Sequence, residues 1–155
     1  MTNSKPMLNH FMSRDIFLIS ALFVFSAAVS PANQLVNDVL RYTNDYRRSK
    51  GLKELIMKDD LNSLARKHSE DMASGKLSLG HSGYDQRVAK VNKIYGTWMV
   101  AENVAYGARD AKEVFKIWKN SSGHRKNMLG NYKYTGIGTA ADAKGSIYYT
   151  EIFAR

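Results

Sequence analysis

The sequence predicts an α+β fold, on three observations. Apolar residues recur at helical spacing in successive segments between Leu35 and Met128. Tyr134–Ala141 and Ile147–Ala154 are then rich in β-branched and aromatic residues, separated by Asp142-Ala-Lys-Gly145, which reads as a hairpin turn. Helices thus come first and an antiparallel pair last, without the strand–helix alternation of a parallel sheet. A chain of 155 residues is long enough for one domain and short for two.

Residues 1–28 read as a secretory signal peptide. Lys5 and Arg14 precede fourteen uncharged residues, Ile16–Val29, and small residues close the run. Fourteen is short of the roughly 20 needed to cross a bilayer as a helix. Cleavage fits after Ala28 or after Ser30; Pro31 just beyond the second site favours the first. The alternative is an uncleaved N-terminal anchor. Either way the remainder, residues 29–155, is expected outside a membrane, secreted or periplasmic, as a single domain of charge +8 once Lys5, Arg14 and Asp15 are gone.

In that domain Leu35, Val36, Val39, Leu40, Thr43 and Tyr46 predict a helix over residues 34–50, stopped by Gly51. Asp59 or Asp60 caps a second, with Leu61, Leu64, Ala65, His68 and Met72 inward and Gly75 at its end. Ser82-Gly-Tyr-Asp85 has the form of a capping box and opens a third, with Val88, Val91 and Ile94 or Tyr95 inward. Residues 97–106 read as a strand or an irregular turn. Two strands alone are marginal, so a strand from here is expected to complete the sheet. Asp110 caps a helix bearing Val114, Phe115, Ile117 and Trp118, and Ser121 or Ser122 caps a short one closed by Gly130.

With 44% hydrophobic and 24% charged residues the chain is globular rather than disordered. The absence of cysteine excludes disulfides, thiolate nucleophiles and cysteine-held zinc. The net charge of +9 attracts polyanions of any kind. Its carriers, among them Arg47, Arg48, Arg66, Lys67, Lys90, Lys93, Lys116 and Lys119, spread over several helices, mostly beside acids. That pattern reads as a solvated surface, and no nucleic-acid partner is expected.

The chemistry-bearing candidates are His81, Glu102 and His124. His68 lies on an apolar stripe and reads as a core histidine. His81 and His124 each stand at a predicted helix start, where the positive dipole end favours a neutral ring able to ligate metal or accept a hydrogen bond. Glu102 lies inside the apolar run Val-Ala-Glu-Asn-Val-Ala and needs a partner: Asn103, a histidine or a metal. The plain alternative to a joint site is a buried Glu102–histidine pair that fixes loops. No phosphate loop, nucleophile elbow or His-Glu-x-x-His motif is present. Ser82 and Ser122 read as helix caps rather than nucleophiles.

Six ordered blocks resemble the CAP superfamily, the cysteine-rich secretory, antigen-five and pathogenesis-related-one proteins, in its short bacterial branch. They are Leu-Ala-Arg-Lys-His-Ser-Glu-Asp-Met (64–72), Gly-His-Ser-Gly (80–83), Ala-Glu-Asn-Val-Ala-Tyr-Gly (101–107), Trp-Lys-Asn-Ser-Ser-Gly-His-Arg-Lys-Asn-Met-Leu (118–129), Gly-Ile-Gly (136–138) and Tyr-Tyr-Thr-Glu-Ile-Phe-Ala (148–154). The resemblance implies a three-layer α-β-α sandwich with a small antiparallel sheet. It also implies a central cavity that carries two histidines and two glutamates in many members, with His81, Glu102 and His124 on three of those positions. Ser121 stands where many eukaryotic members have the fourth acid, and Glu151 where bacterial relatives usually have Gln. Zinc at the paired histidines, here His81 and His124, is seen in some members.

Two functions follow as expectations. One is a binding module for a small or extended ligand: a lipid, a cell-wall fragment or a peptide. The other is a metal-dependent extracellular hydrolase, with zinc on the histidines and Glu102 as ligand or general base. No single reaction carries over from the family, and oligomeric state is not legible.

Overall fold

A computed structural model describes residue 1 and residues 30–155; the expected signal peptide lies outside the described residues. In order these are α1 (Pro31–Ser49), β1 (Ile56–Met57), α2 (Asp59–Ala73), α3 (Tyr84–Tyr95), β2 (Val100–Tyr106), α4 (Ala111–Asn120), α5 (Ser122–Met128), β3 (Tyr134–Ala141) and β4 (Ile147–Ala154). The strands form one sheet in the order β1-β3-β4-β2. β2, β4 and β3 are antiparallel, with Glu102 opposite Ile152 and Gly136 also opposite Ile152. β1 adds a two-residue parallel edge, Ile56 beside Tyr134, too short to leave a periodic signal in the sequence. Among the described residues no helix is long and apolar enough to cross a membrane.

Strand alternation sorts the side chains into two cores. On one face Leu61 and Ala65 of α2 and Val91 of α3 pack on Ile152 and Ala154. On the other, Val39 of α1 and Val114 and Trp118 of α4 pack with Met128, Ile137, Tyr149 and Phe153. The result is the α-β-α sandwich that the resemblance implies. α2 sits very close to β3: a Cβ on Gly136 would fall 2.1 Å from the Leu61 carbonyl carbon, and one on Gly138 would fall 1.9 Å from the Arg66 nitrogen.

Local details differ from expectation. α1 starts earlier because the Ser30 hydroxyl caps Asn33 N–H and Pro31 occupies the first turn, where its missing donor costs nothing. The Ser82–Asp85 capping box does not form. Gly83, at φ +76, is the N-cap of α3, and its left-handed backbone replaces the side-chain cap. Ile117 is exposed, since the inner face of α4 is filled by Ala111, Val114 and Trp118. Arg47 is buried rather than solvated. Its guanidinium donates to the carbonyls of Lys53 (2.9 Å), Met128 (2.7 Å), Gly130 (2.9 Å) and Tyr132 (3.3 Å), tying α1 to the two segments that cross its end.

Candidate functional site

β2 is an edge strand, and alternation turns Glu102 toward α2 and α3 while Asn103 faces α5. The Glu102 side chain is 1% exposed. Its charge is met by Arg87 on the inner face of α3, which donates from Nε to Oε2 (2.6 Å) and from Nη2 to Oε1 (2.7 Å). This fork-on-carboxylate geometry is the strong form of a charged hydrogen bond. Arg87 also donates from Nη1 to the Ser82 carbonyl (2.9 Å), so the same guanidinium pins the loop that carries His81. His81 donates from Nδ1 to Glu102 Oε1 (3.0 Å), with its side chain half exposed. That bond orients the ring and turns Nε2 away from Glu102.

His68 is buried, as its stripe position predicts, and its Nε2 donates to the Gly80 carbonyl (2.8 Å), 3.8 Å from Glu102 Oε1. Burial lowers its pKa, which keeps the ring neutral.

α5 is held against the edge of β2 by two amides. Asn127 donates to the Glu102 carbonyl (3.2 Å) and to Asn103 Oδ1 (2.9 Å), and Asn103 donates to the His124 carbonyl (3.1 Å). The His124 ring is lowered in pKa, first by burial and then by the charge that His81 can carry. Its Nδ1 is buried with no partner among the described residues.

These elements enclose an open groove of about 530 Å³ lined by His81, Tyr84, Glu102, Lys126, Asn127 and Tyr132, with Val100 and Ala101 at its base. Tyr84 donates to the Val100 carbonyl (2.8 Å). Burial raises the pKa of Tyr84 and of Tyr132, so both rings present neutral hydroxyls.

The structure thus joins His81 and Glu102 directly and places His124 on the neighbouring helix, outside the residues that line the groove. Among the described residues no three His, Cys, Asp or Glu side chains are grouped to hold a metal ion. A catalytic zinc needs about three protein ligands, so the donor set falls short of it. Glu151 lies on the opposite face of the sheet, wholly buried near Thr43 and Thr135, and Ser121 stands at the N-cap position of α5 without a side-chain capping bond; neither completes the groove.

Sequence reasoning missed Arg87, Tyr84, Lys126, Asn127 and Tyr132. Arg87 left a signal. It stands four residues before Val91, on the inward stripe of α3, where an arginine needs a buried anion just as Glu102 needs a buried cation.

The model of the Cysteine-rich secretory protein family (CAP) matches residues 40–153. The uncharacterized protein YkwD of Bacillus subtilis is 33% identical over 84% of this chain and 51% of its own length, so the chain spans about half of that relative. The human Golgi-associated plant pathogenesis-related protein 1 is 30% identical over 77% of the chain and 81% of its own length. A crystal structure of an SCP-domain extracellular protein from Bacillus anthracis superposes with a TM-score of 0.66 at 26% identity, covering 84% of this chain and 45% of that one. By the family match, by these bacterial relatives and by its α-β-α architecture, the chain belongs to the CAP superfamily.

Proposed function

We propose that the protein is a secreted binding domain whose groove between α3, β2 and α5 takes a cell-wall fragment, held by polar side chains on a rigid floor. One observation carries the reading: both carboxylate oxygens of Glu102 are engaged by Arg87, and one is shared with His81. A general base needs a lone pair within reach of a water proton, and a nucleophile needs a partner to activate it. Glu102 is placed to orient Arg87 and His81 rather than to move protons.

The lining selects among the expected ligands. A lipid chain needs an enclosed apolar tunnel, whereas here the apolar surface of Val100, Ala101 and the two tyrosine rings is interleaved with polar groups in an open groove. Tyr84 and Tyr132 offer ring faces, Asn127 an amide, Lys126 a cation and His81 an acceptor nitrogen. That set fits a sugar ring bearing carboxylates. Export is supported by the N-terminal sequence and by a relative described as extracellular.

The test is calorimetric titration with a soluble disaccharide–peptide wall fragment. Binding is expected to weaken about tenfold in Lys126→Ala and in His81→Ala, the loss of one charged or polar contact each. No binding to the folded protein overturns the reading. A parallel zinc titration decides the two-histidine metal site. Stoichiometric tight zinc that disappears in the His81→Ala, His124→Ala double variant, together with turnover lost in Glu102→Gln, would establish the hydrolase instead.

A further inference from the structure

A second groove lies beyond the first and shares Tyr132 with it. It is the larger of the two, about 690 Å³, set between the loop after α1 and the loop before β3. Its side-chain charge is one-sided. Arg47, Lys53, Lys133 and Arg155 line it against the single acid Glu54, which is already paired with Arg48.

Arg47 makes the imbalance deep rather than superficial. It is 2% exposed, and its bonds run to four backbone carbonyls; among the described residues it has no carboxylate partner within ion-pair distance. Those bonds use four of the five guanidinium donors. A buried cation held by backbone dipoles, with the Glu151 carboxyl farther off, adds positive potential to the groove above it.

The walls are apolar: Leu52, Ile56 and Leu129. Ile56 is 48% exposed and Trp98 is 71% exposed. Trp98 precedes Met99, whose carbonyl accepts from the Arg155 backbone N–H. Trp98 stands outside the groove's lining, and it is exposed Ile56 among these cations that offers the apolar surface an interface covers.

We infer that this second groove is a docking site for an acidic peptide segment in which carboxylates alternate with apolar side chains. Carboxylates meet Lys53, Lys133 and the Arg47 field, and apolar side chains cover Ile56, Leu52 and Leu129. A phosphate polymer would meet the charge but leave the apolar walls uncovered, so the lining favours peptide. The inference stands apart from the reading of the first groove and survives its failure.

The experiment is fluorescence anisotropy of the full chain with a fluorescein-labelled hexapeptide of alternating aspartate and leucine. Saturable binding is expected, weakened about tenfold in Lys53→Ala, Lys133→Ala, two exposed residues, with the melting temperature expected to stay in place. The same charge removed from α3, in Lys90→Ala, Lys93→Ala, is expected to change affinity less than about twofold. The inference is overturned by the absence of saturable binding. It is equally overturned if the α3 variant weakens binding as much, or if an aspartate–serine peptide or inorganic polyphosphate binds as well, since general electrostatics would then suffice.

Discussion

Glu151 is a carboxyl whose burial couples its protonation to folding. Burial pushes its pKa up to about 8, against weak lowering by Thr135 (3.3 Å), Thr43 (3.5 Å) and the more distant Arg47. Its folded pKa lies above the unfolded value of 4.5, so the folded state binds more protons between the two. Stability from this group is therefore greatest at low pH and falls as pH rises from about 4.5 to about 8. Glu151→Gln keeps the shape and removes the ionisation. Urea denaturation across pH 5 to 9 is expected to show that decline flattened and the variant more stable than the parent at the alkaline end. An unchanged profile would mean that the carboxyl is solvated.

His68 and His124 act in the opposite sense, with folded pKa values below 6.5 because burial disfavours the charged ring. The unfolded chain then takes up protons first, and stability is lost as pH falls from 6.5 through the lowered values. The inert replacement His68→Asn is expected to shrink the acid-side loss in the same denaturation series. If acid sensitivity is unaltered, the buried imidazole is not its source.

Between elements, the closest approach is α2 on β3. Gly-Ile-Gly 136–138 was legible only as a motif of the family. Its physical reason is that a methyl at either glycine would overlap the backbone of α2 at Leu61 or Arg66. Main-chain atoms on a packed helix cannot step aside, so Gly138→Ala is expected to cost about 3 kcal/mol or more, read as a lowered urea midpoint. Gly123, whose Cβ would meet open space, is the control, and its substitution by Ala is expected to be nearly neutral. Equal effects at the two sites would show that α2 stands off the sheet.

The same level explains what sequence could and could not provide. β3 and β4 fall on the predicted bounds because β-branched and aromatic residues are concentrated in two eight-residue segments with a turn between. β1 was invisible because Asn44, not periodicity, makes it: the amide bonds both backbone groups of Leu55 and feeds the chain to the sheet edge. Ile117 belongs to the apolar set that marks α4 as a helix yet is exposed, because a ten-residue helix buries only one narrow stripe.

Over the whole molecule, the layers and the pairing of Glu102 with a histidine were legible, since an acid in an apolar run needs a partner. Its main partner was not, because Arg87 lies fifteen residues from Glu102 and only the packing of α3 on β2 joins them. Nor was the second groove, whose cations come from segments distant in sequence and whose floor is an arginine that composition counts as surface. The α2–α3 layer is fastened to the sheet at Arg87 and Glu102, and on the proposed function that fastening keeps the floor of the first groove rigid.

A double-mutant cycle on Arg87→Met and Glu102→Gln tests this most directly, by urea denaturation at neutral pH. The side chains are 11% and 1% exposed, so the pair is well shielded from solvent. A coupling of about 2 kcal/mol is predicted, each single substitution leaving its partner unpaired in the interior. A coupling below about 0.5 kcal/mol would mean that Glu102 is not committed to Arg87 and is free to serve as a base or a metal ligand, contradicting the account.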